Sequence, residues 1–262
     1  MKSLRKDKCR RLEATAGPGF EAGGSAFSLV ELLVVMAVLG VLAALLLPTI
    51  TRSQDTARRI RCVSNLHQLG LAGQMYWDDH GGATFRYRTG AVNGGDCYWF
   101  GWLARGDEGA RDFDPSAGAL FPYLGGRGVE ICPSLKPTGP RFKLKARGAA
   151  YGYGYNLHLS APANQPPVNV RQLARPEQRV FLADAAQVNT FQAPASPENP
   201  LLEEFYFVST DEPTVHFRHQ RQANAVFCDG HVAAEPPVPG SLDTRLPPEV
   251  IGRLPADLLT GP

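Results

Sequence analysis

The chain has 262 residues, 44% hydrophobic and 20% charged, with a formal net charge of +2. That fits one ordinary folded domain with an added segment, or two small domains. A charge so near zero does not by itself suggest nucleic acid, and the 27 Gly and 22 Pro point to a head rich in turns.

The basic character sits at the start. Up to Ala26 the chain carries Lys2, Arg5, Lys6, Lys8, Arg10 and Arg11 against Asp7, Glu13 and Glu21. Without that piece the rest is about neutral. From Phe27 to Ile50 follows FSLVELLVVMAVLGVLAALLLPTI, apolar throughout from Leu32 to Leu47. This meets the roughly 20 residues that a spanning helix needs. Basic residues ahead of the span keep the leader cytoplasmic under the positive-inside rule, although Arg52, Arg58, Arg59 and Arg61 behind it pull the other way. A secretory signal peptide is the plainer reading. The run is longer than a usual signal core, however, and no small-x-small cleavage site follows it promptly. An uncleaved anchor is the other plain reading.

Glu31 lies inside the apolar run. A charge in hydrocarbon costs roughly 2.5–3.5 kcal/mol and so calls for a partner or a function. Cleavage before Phe27 would create an amine four residues away, on the same chain or on a neighbouring subunit. Ala26-Phe27-Ser-Leu-Val-Glu31, with the apolar run behind it, resembles the prepilin peptidase site of type IV pilins and type II secretion pseudopilins. The resemblance implies cleavage between Ala26 and Phe27, methylation of Phe27, and a role for Glu31 in methylation and subunit registration. It places Pro48 where pilin helices carry a kink-forming proline, and a proline inside a helix bends or loosens it in any case. The implied partners are a prepilin peptidase, other pilin-like subunits, their assembly machinery and the bacterial inner membrane, with the head in the periplasm or on an extracellular filament. No nucleic acid is expected.

Beyond the span the pattern stays helical. Ile60, Val63, Leu66, Leu69, Ala72 and Tyr76 recur at spacings of three and four, and Gly81-Gly82 after Asp79-His80 is a stop. Arg52 to Arg61 reads as a solvated or headgroup-facing surface, with Asp55 compensating Arg58 and Arg59. The expected organisation is a removed leader over 1–26, a pilin-type helix over 27–80 (transmembrane over about 27–50), a globular head over 81–234 and a Pro-rich tail over 235–262, extended along the surface. The fold class is α+β: a long helix packed on a small antiparallel, loop-rich, pilin-like head.

Within the head, Tyr98 to Leu103 reads as a buried aromatic patch and Arg179 to Asp184 as a buried strand. Tyr151-Gly-Tyr-Gly-Tyr-Asn156 alternates aromatic and Gly; core packing is the first reading and a carbohydrate platform the second. Ala223–Cys228 and His231–Ala234 face each other across Asp229-Gly230, a two-residue hairpin signal in which both turn positions take positive φ. His219-x9-Asp229-Gly230 resembles a C-terminal signature of a large group of prepilin-like proteins. In that group a Cys on the helix before Asn-Leu-x-Gln and a later Cys-Pro-Ser often occur, here Cys62 and Cys132.

Cys62, Cys97, Cys132 and Cys228 lie outside the leader and allow up to two disulfides in three pairings; four free buried thiols are the alternative. His216, His219, Cys228 and His231 have spacing suggestive of zinc, against a simpler reading in which His219 ties a loop to the Asp229 turn. Asp107, Glu108, Asp112 and Asp114 form an acidic stretch open to calcium but without regular ligand spacing. No cofactor and no catalytic residue is assigned, and no nucleophile or nucleotide motif stands out. The leading function is a structural pilin-like or pseudopilin subunit. The alternative is a membrane-anchored carbohydrate- or metal-binding module.

Overall fold

The computed structural model describes residues 28–148, 151–162 and 164–261. It divides into two units, 1–49 and 50–262. Ala26 and Phe27 lie outside the described residues. The fold is α+β.

Helix α1 (Leu29–Asp79) continues without interruption through Pro48. It begins with a capping box that sequence reading overlooked. Ser28 N–H donates to Glu31 Oε2 at 2.8 Å, and Glu31 N–H donates to Ser28 Oγ at 3.2 Å. Ser-x-x-Glu at these positions satisfies two backbone donors that the helix itself leaves unpaired. In the first unit the apolar side chains stand open on every face, from Leu29 at 78% exposed to Leu47 at 64%.

In the second unit, α1 buries Cys62, Asn65, Leu66, Leu69, Ala72 and Trp77, and the helix ends at Asp79 as expected. Of the expected face, Leu66, Leu69 and Ala72 are buried and Val63 is half-buried. Ile60 is exposed, as are Leu71 and Met75, and Tyr76 is only partly covered. The close contact with the head rests on two small residues. A Cβ on Gly73 would stand 2.5 Å from the Phe181 ring, and one on Gly70 2.7 Å from Val226 Cγ2. These glycines bring the helix backbone against the sheet, and hydrophobic spacing alone gives them no weight.

The partner of that face is a five-stranded sheet. Its order is β10 (Phe207–Val208), β6 (Tyr153–Asn156), β7 (Val180–Asp184), β12 (Ala223–Phe227) and β13 (Val232–Glu235). Only β10–β6 is parallel. The expected buried strand is β7, and every one of its residues is buried, as in β12. Strands apolar on both faces need cover on both. Phe181, Leu182 and Val226 belong to the helix-side core with Leu66 and Leu69. Val180, Ala183, Ala225 and Phe227 belong to a second core with Phe217, Leu254 and Leu259.

That second core corrects the reading of the tail. Far from lying extended on the surface, the segment after Glu235 is part of the head. Ile251–Gly252 (β14) pairs with Val215–His216 (β11), and a short helix α2 (Ala256–Thr260) buries Leu259. Asn156 Nδ2 donates to Val180 O at 2.7 Å and to Leu259 O at 2.9 Å, binding the tail to the sheet. The apolar positions between the prolines supply the missing cover.

Two smaller sheets complete the head. One is an antiparallel meander of β1 (Arg88–Val92), β2 (Gly95–Tyr98), β3 (Gly101–Ala104) and β4 (Phe113–Asp114). Trp99, Phe100 and Leu103 are buried there, as the aromatic patch required. The other joins β5 (Phe142–Lys143), β9 (Leu201–Glu203) and β8 (Gln187–Asn189). Tyr151, Tyr153 and Tyr155 are all core residues, so the Tyr-Gly run offers no surface platform for a sugar.

Gly73→Ala tests the close approach of helix and sheet. On an exposed helix the change stabilises by about 1 kcal/mol. Here the new methyl meets Phe181, and a loss of about 1–3 kcal/mol in denaturant unfolding is expected.

Candidate functional site

The His219 and Asp229-Gly230 positions do not meet. His219 opens a tight turn in which it bridges Gln222, while Gln220 and Arg221 take φ of 55° and 63°. This turn presents the imidazole to the end of β7. Its Nε2 lies 3.3 Å from Asp184 Oδ2 and 3.6 Å from Cys132 Sγ. The expected tie from His219 to the Asp229 turn is therefore replaced by one to Asp184. A buried carboxylate is the stronger acceptor for a buried ring.

Asp184 is fully buried and surrounded by donors. Arg218 Nη2 donates to Oδ1 at 2.8 Å, Asn224 N–H to Oδ2 at 2.9 Å, and Cys62 Sγ lies 3.2 Å from Oδ1. Burial alone would raise its pKa, but Arg218 and His219 outweigh that and hold it well below the usual carboxylate range. For His219, burial works against the charged ring, yet the bonds to Asp184 and Cys132 lift it to about 9. The hydrogen bond from Cys62 pulls the Cys132 thiol down to about 5, and burial pushes Cys62 the other way. Tyr153 Oη–H donates to Cys62 Sγ at 3.6 Å.

The four groups come from separate parts of the chain: helix α1, the Cys132-Pro133-Ser134 loop, strand β7 and the His219 turn. Asn65 on α1 helps to place the loop by donating to Ile131 O at 3.2 Å. Cys, His and Asp together invite comparison with a nucleophile relay. In a relay the acid and the nucleophile use opposite ring nitrogens. Here Asp184 and Cys132 both approach Nε2 of His219, so the arrangement is a cluster rather than a relay.

The hairpin takes a different turn from the one expected. Val226 pairs with Val232, and Phe227 N–H donates to His231 O at 2.9 Å, leaving three residues in the loop. Gly230 alone has positive φ, +95°. A type I turn with glycine in the third position gives this loop, whereas the two-residue form needs positive φ at both central positions. The sequence holds that second form elsewhere: Asn93 (φ 48°) and Gly94 (φ 78°) join β1 to β2. The Asp229-Gly230 turn is held by α1. Gln74 Nε2 donates to Asp229 O at 2.8 Å, and His67 Nδ1 lies 3.4 Å from Gly230 O. Both ends of β12 are thus tied to one helix, one through Asp184 to Cys62 and the other through the turn to Gln74, positions about 18 Å apart on it.

The zinc quartet expected around the hairpin is dispersed. His216 is buried beside Glu249, and burial holds it neutral. Burial pushes the Cys228 thiol up to about 12. His231 is exposed, stacked on Phe227 and bonded to Asp229 Oδ1 at 2.6 Å. Among the described residues the four expected cysteines are free thiols; only Cys62 and Cys132 lie together, and Cys97 is half-buried.

The acidic stretch does not gather either. Asp114 accepts from Ser116 N–H, Asp112 pairs with Arg147 and Glu108 turns inward to Lys143 and Arg111. That inward cluster escaped sequence reading. Lys143 and Lys145 are buried, and both pair with Glu203, at 2.9 and 3.1 Å. Their spacing of two puts them on one side of an extended chain. The adjacent Glu204 is buried and accepts from Lys145 N–H at 3.2 Å, and burial raises its carboxyl to about 7.

Compared with family models, curated proteins and solved structures, the chain matches none.

Glu204 generates a pH prediction. Its folded pKa lies above its unfolded value near 4.5, so the folded state binds the extra proton between about pH 4.5 and 7. Stability should fall as pH rises through that window, by on the order of 3 kcal/mol. Glu204→Gln should flatten the fall and stabilise the chain at pH 7.5. Urea unfolding of both proteins across pH 4.5–8 checks it.

Proposed function

We propose that this chain is a membrane-anchored structural subunit of pilin-like type, processed before Phe27 and assembled into a filament of the type IV pilus or type II secretion kind. The observation that carries the reading is the first part of α1. Its apolar side chains, including Leu32, Val35, Leu39, Leu42 and Leu46, are between 47% and 58% exposed. A helix apolar all round has no stable place in water and needs hydrocarbon or other helices around it. One such helix near the N-terminus fits a membrane anchor. A filament offers the same helix a second apolar environment after extraction from the bilayer, made of its own copies.

Glu31 fits both settings. The capping box gives its carboxylate a local partner while the helix stands alone. In a filament the freed amine of Phe27 on a neighbour is the stronger one, because it carries full charge in a medium of low dielectric constant. The activity in this reading is mechanical: α1 packs between subunits and the head faces outward.

The reading is tested by the mass and N-terminal sequence of the membrane-extracted protein. A start at methylated Phe27 is expected. An intact terminus ahead of Phe27, in cells whose prepilin peptidase processes other substrates, would contradict it. In the same cells Glu31→Ala should leave the head folded and the protein in the membrane but reduce filament incorporation at least about tenfold, the effect of removing roughly 1.4 kcal/mol of interaction.

A further inference from the structure

We infer that Cys62, Cys132, Asp184 and His219 form a structural zinc site that clamps α1 to the head. The inference stands independently of the filament reading. One ligand atom from each of the four residues lies within 4.8 Å of all the others, and all four side chains are buried. Among the described residues no other such group converges.

The spacing suits zinc. Thiolate, imidazole and carboxylate ligands about 2.0–2.3 Å from a tetrahedral ion stand roughly 3.3–3.8 Å from one another. The separations are 3.2 Å for Cys62 Sγ to Asp184 Oδ1, 3.6 Å for Cys132 Sγ to His219 Nε2, and 3.3 Å for His219 Nε2 to the other carboxylate oxygen, Asp184 Oδ2. The widest gap closes with a shift of about 1 Å. Two sulfurs and one imidazole select zinc over calcium or magnesium, which take oxygen ligands.

The surroundings supply the second layer of contacts. Arg218 and Asn224 N–H hold the Asp184 carboxylate, Tyr153 Oη–H points to Cys62, and the His219–Gln222 bridge fixes the histidine turn. Such groups orient ligands and raise affinity. The charges balance as well. Two thiolates and one carboxylate oppose Zn2+ and the Arg218 guanidinium, for a sum of zero. On binding, the proton on Cys62 Sγ and the one on Nε2 of His219, with any still on Cys132 Sγ, leave to solvent as the ion takes their places. Four protein ligands leave no open position, which marks a structural rather than a catalytic ion. A Cys62–Cys132 disulfide is the competing outcome, since it would use the same two sulfurs.

The test uses the full chain, extracted in detergent and purified with a phosphine reductant and no chelator. Cobalt(II) is the probe. We expect one equivalent to bind with the intense visible bands and sulfur charge-transfer band of a tetrahedral thiolate site, and zinc to displace it. Cys132→Ser and His219→Ala should each weaken cobalt binding by about 100-fold, while Cys97→Ser leaves the spectrum unchanged. Stripping the metal from the wild-type chain should lower the melting temperature by about 10 °C or more. The inference is overturned if the reduced chain, with Cys62 and Cys132 titrating as free thiols, gives no tetrahedral cobalt spectrum. It is equally overturned if protein isolated without reductant contains no zinc and peptide mapping finds Cys62 joined to Cys132.

Discussion

The structure turns on one buried carboxylate. Asp184 closes the central strand β7 with no exposure to water, where an unpaired charge would be prohibitive. It is tolerated because Arg218, His219, Asn224 N–H and Cys62 all converge on it. Removing one partner of such a buried pair costs about 3–5 kcal/mol, much of it for the charge left behind. The partners come from three pieces of the head, Cys62 from α1, Arg218 and His219 from the histidine turn and Asn224 from β12, so the need to satisfy one side chain fixes all three against β7.

From that point the rest follows by cover and closeness. The sheet is apolar on both faces and takes α1 on one and the C-terminal segment on the other. Gly70 and Gly73 let the helix lie against Val226 and Phe181. The spacing between His219 and Asp229-Gly230 is the length of a strand with a turn at each end. One end meets Asp184 and the cysteine of α1; the other meets Gln74 of the same helix. In this chain both ends of that segment thereby dock toward the long helix.

Much of this was legible in the sequence. The apolar run, the stop after Asp79, the aromatic patch and the strand ending at Asp184 each carry a local signal, whether periodicity, a glycine pair or an unbroken apolar run. Most of the misses share one cause: they depend on contacts between distant segments. The helix face was legible at Leu66, Leu69 and Ala72, but Gly70, Gly73, Cys62 and Asn65 were missed because they carry little hydrophobic weight. The tail looked extended because its prolines were louder than Leu254 and Leu259. The histidines were grouped by nearness in sequence, although His216, His219 and His231 face three different environments. Asp184 appeared only as the end of a strand, and nothing local tells that a carboxylate there will be buried. The Ser28–Glu31 cap was readable from its spacing, but the search for a partner to Glu31 looked toward Phe27 instead.

The second part of α1 and the β7–β12 pair form one cooperative unit fastened at Asp184. Native-state hydrogen exchange of the full chain in detergent measures this most directly. The amides of Cys62–Trp77 and those of β7 and β12 should exchange with one common opening free energy, and Asp184→Asn should lower that value for all of them together. If the helix amides exchange at a distinctly lower free energy while β7 and β12 stay protected, the helix is only leaning on the head and the account fails.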